Sequence, residues 1–283
     1  MNELNWTEEQ NNMVRNLIAE EIEKARLSHK FIPEFKLEMD ARSVSADEFD
    51  SANNIVDDVK TIPLVEVVAP IDLTKLQAED ADLSAALILI RRAANRLARA
   101  HDEIAFIGQP GPDQLHSVIA AKGAKKRTFV KAIGGRKNDG LSAAGISLDV
   151  DPKGGSYGEK LVEVVADALI QLESNGYIGS YVLVLGQELF IDANTPSKGS
   201  LVLPKDRLEA LLGGGPVHRS SVLNKDGGLL MSLGGEPVDR AIAVAPTFEF
   251  LRIGANETRE CRVFERFAFR LKEKDSVIKL IRK

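Results

Sequence analysis

The sequence predicts an α+β protein, on three observations. Three segments carry apolar residues at helical spacing: Val14 to Ala25, Leu83 to Ile104 and Leu161 to Leu172. One short run, Tyr181 to Leu185 ("YVLVL"), is wholly apolar and reads as a strand buried on both faces. The last stretch, from Asp226 to Ile281, is a succession of β-type runs with no helical period. Helices interleaved with strands and then strands alone fit an α+β arrangement better than a doubly wound sheet.

In chain order, Thr7 caps the first helix, with Gln10 as its capping-box partner. Val14, Leu17, Ile18, Ile22 and Ala25 form its apolar stripe, either packed on the protein's own core or left as a groove for a partner peptide. Residues 38–58 hold seven acids against one base, Arg42, and too little apolar surface to form a core alone. They read as a flexible loop or as an extended arm that orders against something else. "TIPLVEVVAPIDL", Thr61 to Leu73, is strand-rich and punctuated by Pro63 and Pro70. The second helix has Asp82 as its expected cap and stops where Gly108 and "QPGP" forbid continuation.

Residues 114–137 contain seven bases and no acid. A solvated hairpin or loop is the plain reading; a nucleic-acid patch lacks interleaved aromatics apart from Phe129. A contact with the acidic 38–58 segment of a neighbouring copy is a third. The third helix is expected to start with a Ser156/Glu159 capping box and to stop at Gly176; a short helix, Pro204 to Leu212, ends at Gly213. In "CRVFERFAFRL" the apolar residues Cys261, Val263, Phe267, Phe269 and Leu271 alternate with Arg262, Arg266 and Arg270, as in a strand with one covered face.

Chemistry is sparse. The four histidines, at 29, 101, 116 and 218, include no pair at helical metal-ligand spacing. "GLSAAG" at Gly140 lacks the spacing of a nucleophile elbow, and "GGSYGEK" at Gly154 lacks the Gly-Lys-Ser/Thr close of a phosphate loop. Cys261, the one cysteine, excludes an internal disulfide framework and fits a reducing compartment. A net charge of −5 argues against a general nucleic-acid binder. No apolar run is long enough to span a bilayer, and the opening residues lack the pattern of a secretory signal. The expectation is a cytoplasmic protein with no cofactor, no metal, no membrane partner and no enzymatic constellation.

Several segments carry a family resemblance. "KTIPLVEVVAPIDLTKLQAEDADLSAALILIRRAANRLARAHDEIAFIGQPG", Lys60 to Gly111, resembles the central segment of the encapsulin shell proteins, the linocin family. "LIQLESNGYIGSYVLVL" resembles that family's helix, turn and strand, with Ser180 where proline is usual. "DGGLLMSLGGEPVDRAIAVAPTFEFL" resembles its hairpin, and "CRVFERFAFRL" and "SVIKLI" resemble its closing strands. The resemblance spans about residues 60 to 110 and 140 to 281. It implies the tailed-phage major-capsid (Hong-Kong-phage-type) fold. Residues 1–37 would give an N-terminal helix of a peripheral domain and 38–62 an extended loop. Residues 63–141 would continue the peripheral domain with a basic insertion, 142–232 would form an axial domain, and 233–283 would return to the peripheral domain.

The resemblance further implies a homo-oligomeric icosahedral shell that encloses ferritin-like or peroxidase-type cargo bearing a C-terminal targeting peptide. It implies cargo docking at Leu17, Ile18 and Ile22 together with Val277, Ile278, Leu280 and Ile281. It implies a five-fold pore loop at Asn194, Thr195, Pro196, Ser197, Lys198, Gly199 and Ser200, with Lys198 either ringing the hole or turned sideways into solvent. Thr74 stands where some flavin-binding members carry Trp, which argues against flavin at this surface. A prophage capsid packaging DNA would share the fold; a small enzyme, bacteriocin or protease lacks a nucleophile–base pair in this sequence.

Overall fold

The computed structural model describes residues 4–50, 53–116, 130–143, 145–197, 199 and 201–283. In chain order the elements are α1 (Glu8–Ala25), β1 (Glu34–Lys36), β2 (Ser43–Ser45), β3 (Glu48–Asp50), β4 (Ile55–Asp57), β5 (Thr61–Pro63), β6 (Val65–Leu73), α2 (Lys75–Glu79), α3 (Ser84–Phe106) and β7 (Lys131–Gly134). They continue with β8 (Ile146–Val150), α4 (Tyr157–Ser174), β9 (Tyr181–Leu185), α5 (Gln187–Ala193), α6 (Pro204–Leu211), β10 (Val217–Arg219), β11 (Gly227–Ser232), β12 (Val238–Ile253), β13 (Arg259–Leu271) and β14 (Val277–Arg282).

Two five-stranded sheets organise the chain, in the orders β1-β12-β13-β6-β7 and β10-β9-β11-β14-β8. The first is built on the long antiparallel pair β12–β13, with β6 antiparallel on the other side of β13. β7 pairs only with Val65 to Val68, so β6 has an open edge on that side at Pro70, where proline is tolerated. α1 and α3 cover one face of this sheet, where Val14, Ile18 and Ile22 meet Ile90, Leu97, Val67, Ile71 and Val263. The second sheet lies under α4, α5 and α6, which bury Leu183, Leu185, Leu230, Ile278 and Leu280 against Leu161, Val165, Leu189 and Leu208. All five residues of "YVLVL" are buried, since the other face of β9 packs towards Phe106 at the end of α3.

The C-terminal strand leaves the first sheet. β14 pairs with β11 and, in parallel, with β8, so it lies inside the second sheet and not with β12 and β13. The expected 233–283 block is therefore divided between the two sheets. The "GGEPVD" turn is not a hairpin either. β11 pairs with β9 and β14, while β12 pairs with β1 and β13, so the turn carries the chain from one sheet to the other.

Caps explain some of the helix boundaries. The Thr7/Gln10 capping box forms on both sides. The cap of α3 departs from expectation: Leu83 holds the cap position in a left-handed conformation, and Asp80, not Asp82, accepts the Ser84 amide at 3.0 Å. The Ser156/Glu159 box does not form; Ser156 makes no capping bond. Gly176 and Gly213 have the positive φ that ends α4 and α6. Gly108 after α3 has φ +90, and a Cβ there would meet the Asn138 carbonyl oxygen at 2.0 Å.

Candidate functional site

The acidic 38–62 segment forms an arm of two antiparallel strand pairs. β2 pairs with β5 at its root and β3 with β4 beyond. The root is packed: Val44, Ala46 and Ile62 are buried against Ala241 and Ala268 of the first sheet. Ionic contacts hold it. Arg270 of β13 grips Asp239 with two nitrogens at 2.7 and 2.6 Å and reaches Asp47 at 2.8 Å with the third. Lys274 pairs with Glu48, and the Phe49 amide donates to the Lys272 carbonyl at 2.7 Å. Beyond the root, Ile55, Val56 and Val59 are exposed apolar residues.

The tip of the second sheet carries the predicted pore loop. α5 ends at Ala193, and Asn194 and Thr195 donate side-chain hydrogen bonds back to the carbonyls of Phe190 and Ile191, at 2.7 and 2.8 Å. Ser197 donates to Glu159 at 2.7 Å, and Arg207 of α6 pairs with the other oxygen of that carboxylate. The Ser197 hydroxyl, then Arg207, hold Glu159 below the usual carboxylate range. Glu159 therefore ties the loop to α4 and α6 and does not cap its own helix. Lys198 and Ser200 lie outside the described residues, as does most of the basic run, residues 117–129. Ile191, Leu201, Val202 and Leu211 are exposed apolar residues of this end.

The seven residues expected to form a docking strip are not brought together. Ile18 and Ile22 are buried in the first core, with Leu17 half-buried at its edge. Ile278 and Leu280 belong to the core under α4, and Val277 faces the core around Phe106. Ile281, half-buried, lines a separate 570 Å³ cleft with Ile107, Leu223 and Leu229. β14 sits in the second sheet, whereas α1 packs on the first.

Sequence reasoning missed a buried charged cluster at the end of α1. Arg26 bonds Glu265 of β13, and His101 of α3 bonds the same carboxylate at 3.1 Å. All three are buried. Burial by itself would raise the Glu265 carboxyl, but Arg26 and His101 outweigh it and hold the group ionised. Burial lowers His101 to about 4, with Arg26 adding to the effect, so its ring is neutral at neutral pH. An ionised carboxylate only accepts, so Nδ1 of His101 carries the proton. Beside them, Asp102 accepts the backbone amides of Leu27 and Ser28 at 2.7 and 2.9 Å. The available signal was Glu265, the one acid at an odd position of "CRVFERFAFRL". This cluster fixes where the chain leaves α1; it presents no reactive group to solvent. Cys261 is buried, with its thiol pushed up to about 12 by burial. Among the described residues no three His, Cys, Asp or Glu side chains converge as metal ligands, and no helix is long and apolar enough to cross a membrane.

The arm and the far end of the second sheet thus both leave apolar side chains exposed. Residues 133–268 match the family described as "Encapsulating protein for peroxidase". The likeness to the encapsulin shell proteins is therefore shown. The match to this encapsulating-protein family covers just under half of the chain, and the Lys60–Gly111 segment lies outside it. No curated protein matches in sequence. Among solved structures, the virus-like particle from Pyrococcus furiosus has a TM-score of 0.62 at 13% identity, over 96% of this chain and 99% of that one. The capsid of Myoviridae phage XM1 gives 0.55 at 13%, over 85% and 82%. The holo-SrpI encapsulin complex from Synechococcus elongatus PCC 7942 gives 0.54 at 11%, over 89% and 85%. The fold is that of the tailed-phage major capsid proteins. The matched family is one of structural shell proteins.

Proposed function

We propose that this chain is the self-assembling subunit of an encapsulin-type compartment in the cytoplasm, whose work is enclosure and not catalysis. The observation that carries the reading is the encapsulating-family match at residues 133–268 within a fold that spans nearly the whole of a virus-like-particle subunit. The first sheet with α1 and α3 serves as the peripheral domain, the second sheet as the axial domain, and residues 38–62 as the arm laid on a neighbour. The exposed Ile55, Val56 and Val59 are then covered by that neighbour. The loop 194–200 surrounds a pore on a symmetry axis, and cargo carrying a C-terminal peptide docks along α1 beside Leu17. Many modest contacts repeated by symmetry close such a particle without one dominant interface.

A prophage capsid is the second reading, because the likeness to the phage XM1 capsid is as close as that to the SrpI encapsulin. Purified particles separate the two. Shells that contain protein and show no nucleic-acid absorbance support the compartment; DNA-filled shells support the capsid, and a monomer with no particles removes both.

A further inference from the structure

We propose that the cavity at the root of the arm binds a small zwitterion bearing one apolar group of about ring size, that is, an apolar α-amino acid. The cavity holds 210 Å³ between the arm and the first sheet. Its floor is apolar: Ile62, Val65, Ile104 and Ala268 are all buried. An engineered apolar cavity of about 150 Å³ accepts benzene, so this one has room for a ring-sized side chain with its polar head at the mouth.

The mouth defines the head. Glu48 and Lys274 line it but already pair with each other. The Asn138 side chain is engaged by the Arg136 carbonyl and the Gly140 amide, and the Gln109 side-chain amide donates to the Gln114 carbonyl. Two charges remain, Arg136 and Asp139, of opposite sign and three residues apart, and neither joins an ion pair among the described residues. A guanidinium selects a carboxylate and a carboxylate selects an ammonium, so the pair together selects a group that carries both. Ala46, Glu48, Ile62 and Pro63 come from the arm and the rest of the lining from the body, so a bound ligand touches both and favours the arm seated on the sheet. Binding does not require that the subunit assemble, so it stands or falls apart from the proposed function.

The test is calorimetric titration of the full chain with L-phenylalanine, with phenylacetate and phenethylamine as analogues that each keep one charge. Saturable binding of phenylalanine is expected, with each analogue about tenfold or more weaker, the scale of losing one charged hydrogen bond. Arg136→Gln should weaken phenylalanine and phenylacetate but not phenethylamine; Asp139→Asn should do the reverse. Ala143→Leu, which fills the cavity and keeps both charges, should abolish binding without lowering the melting temperature. Absence of saturable binding, equal affinity for phenylacetate, or phenylalanine affinity unchanged in the two charge variants overturns the proposal.

Discussion

Arg26 sets one guanidinium nitrogen 2.7 Å from each carboxylate oxygen of Glu265, joining the end of α1 to the middle of β13 with both side chains buried. A buried ion pair is weak grounds for stability in itself, but removing one partner strands the other charge. Arg26→Met should therefore destabilise the subunit by about 3–5 kcal/mol, and adding Glu265→Met should return most of that loss. Thermal and denaturant unfolding of the three chains decides it. A loss below about 1 kcal/mol in the single variant would mean that the carboxylate finds water once Arg26 is gone.

His101 gives the cluster a pH signature. Its folded pKa, about 4, lies below the ordinary 6.5, so the unfolded chain takes up a proton first as pH falls. The stability it contributes is full above pH 6.5 and declines towards pH 4, by roughly 3 kcal/mol at most. Glu265 acts in the same direction at lower pH, since its folded pKa is also depressed. Glu103 acts oppositely: burial raises it to about 7, so its contribution is full below about 4.5 and is lost as pH rises to 7. Asp102, also raised by burial, shares that sign. Differences between variants separate them. The stability gap between wild type and His101→Gln should narrow from pH 6.5 to pH 4, and a gap that is constant with pH contradicts the assignment. Glu103→Gln should melt higher than wild type at pH 8 and equally at pH 4.

At the tip, Glu159 is the tie and Ser197 its loop-side partner. Ser197→Ala should speed hydrogen exchange at the amides of residues 194, 195 and 197 while costing the subunit about 1 kcal/mol or less. Glu159→Gln should do so more strongly, since Arg207 loses its anion as well. Exchange unchanged in both variants would show that the α5 end bonds of Asn194 and Thr195 hold the loop by themselves.

Docking on α1 is tested at its edge and not in its core. Leu17 is half-buried, so Leu17→Asp should leave folded, closed particles with reduced cargo. Ile18 is 2% exposed, so Ile18→Asp should impair folding itself. Full cargo in Leu17→Asp shells would remove α1 from the docking surface.

The residues that repeat were the legible ones. α1, α3 and α4 were written in periodic apolar stripes, α1 with a capping box at its start, and "YVLVL" announced a strand covered on both faces. Long-range pairing was not legible. "SVIKLI" says strand but not which sheet, since a short apolar run fits either core, and so the docking strip joined residues that the fold separates. Capping patterns misled for a local reason: Glu159 had the right spacing, yet Ser197 and Arg207, distant in sequence, outbid Ser156. The Arg26–His101–Glu265 cluster needed three elements to meet, and only the lone acid on the covered face of β13 marked it.

Copies of this chain are proposed to close into a shell. Mass photometry of the purified protein over a range of salt and pH, with negative-stain micrographs of the same samples, tests it most directly. A narrow population of hollow closed particles of many subunits is expected. Well-folded protein that stays at one or a few subunits under every condition would contradict it.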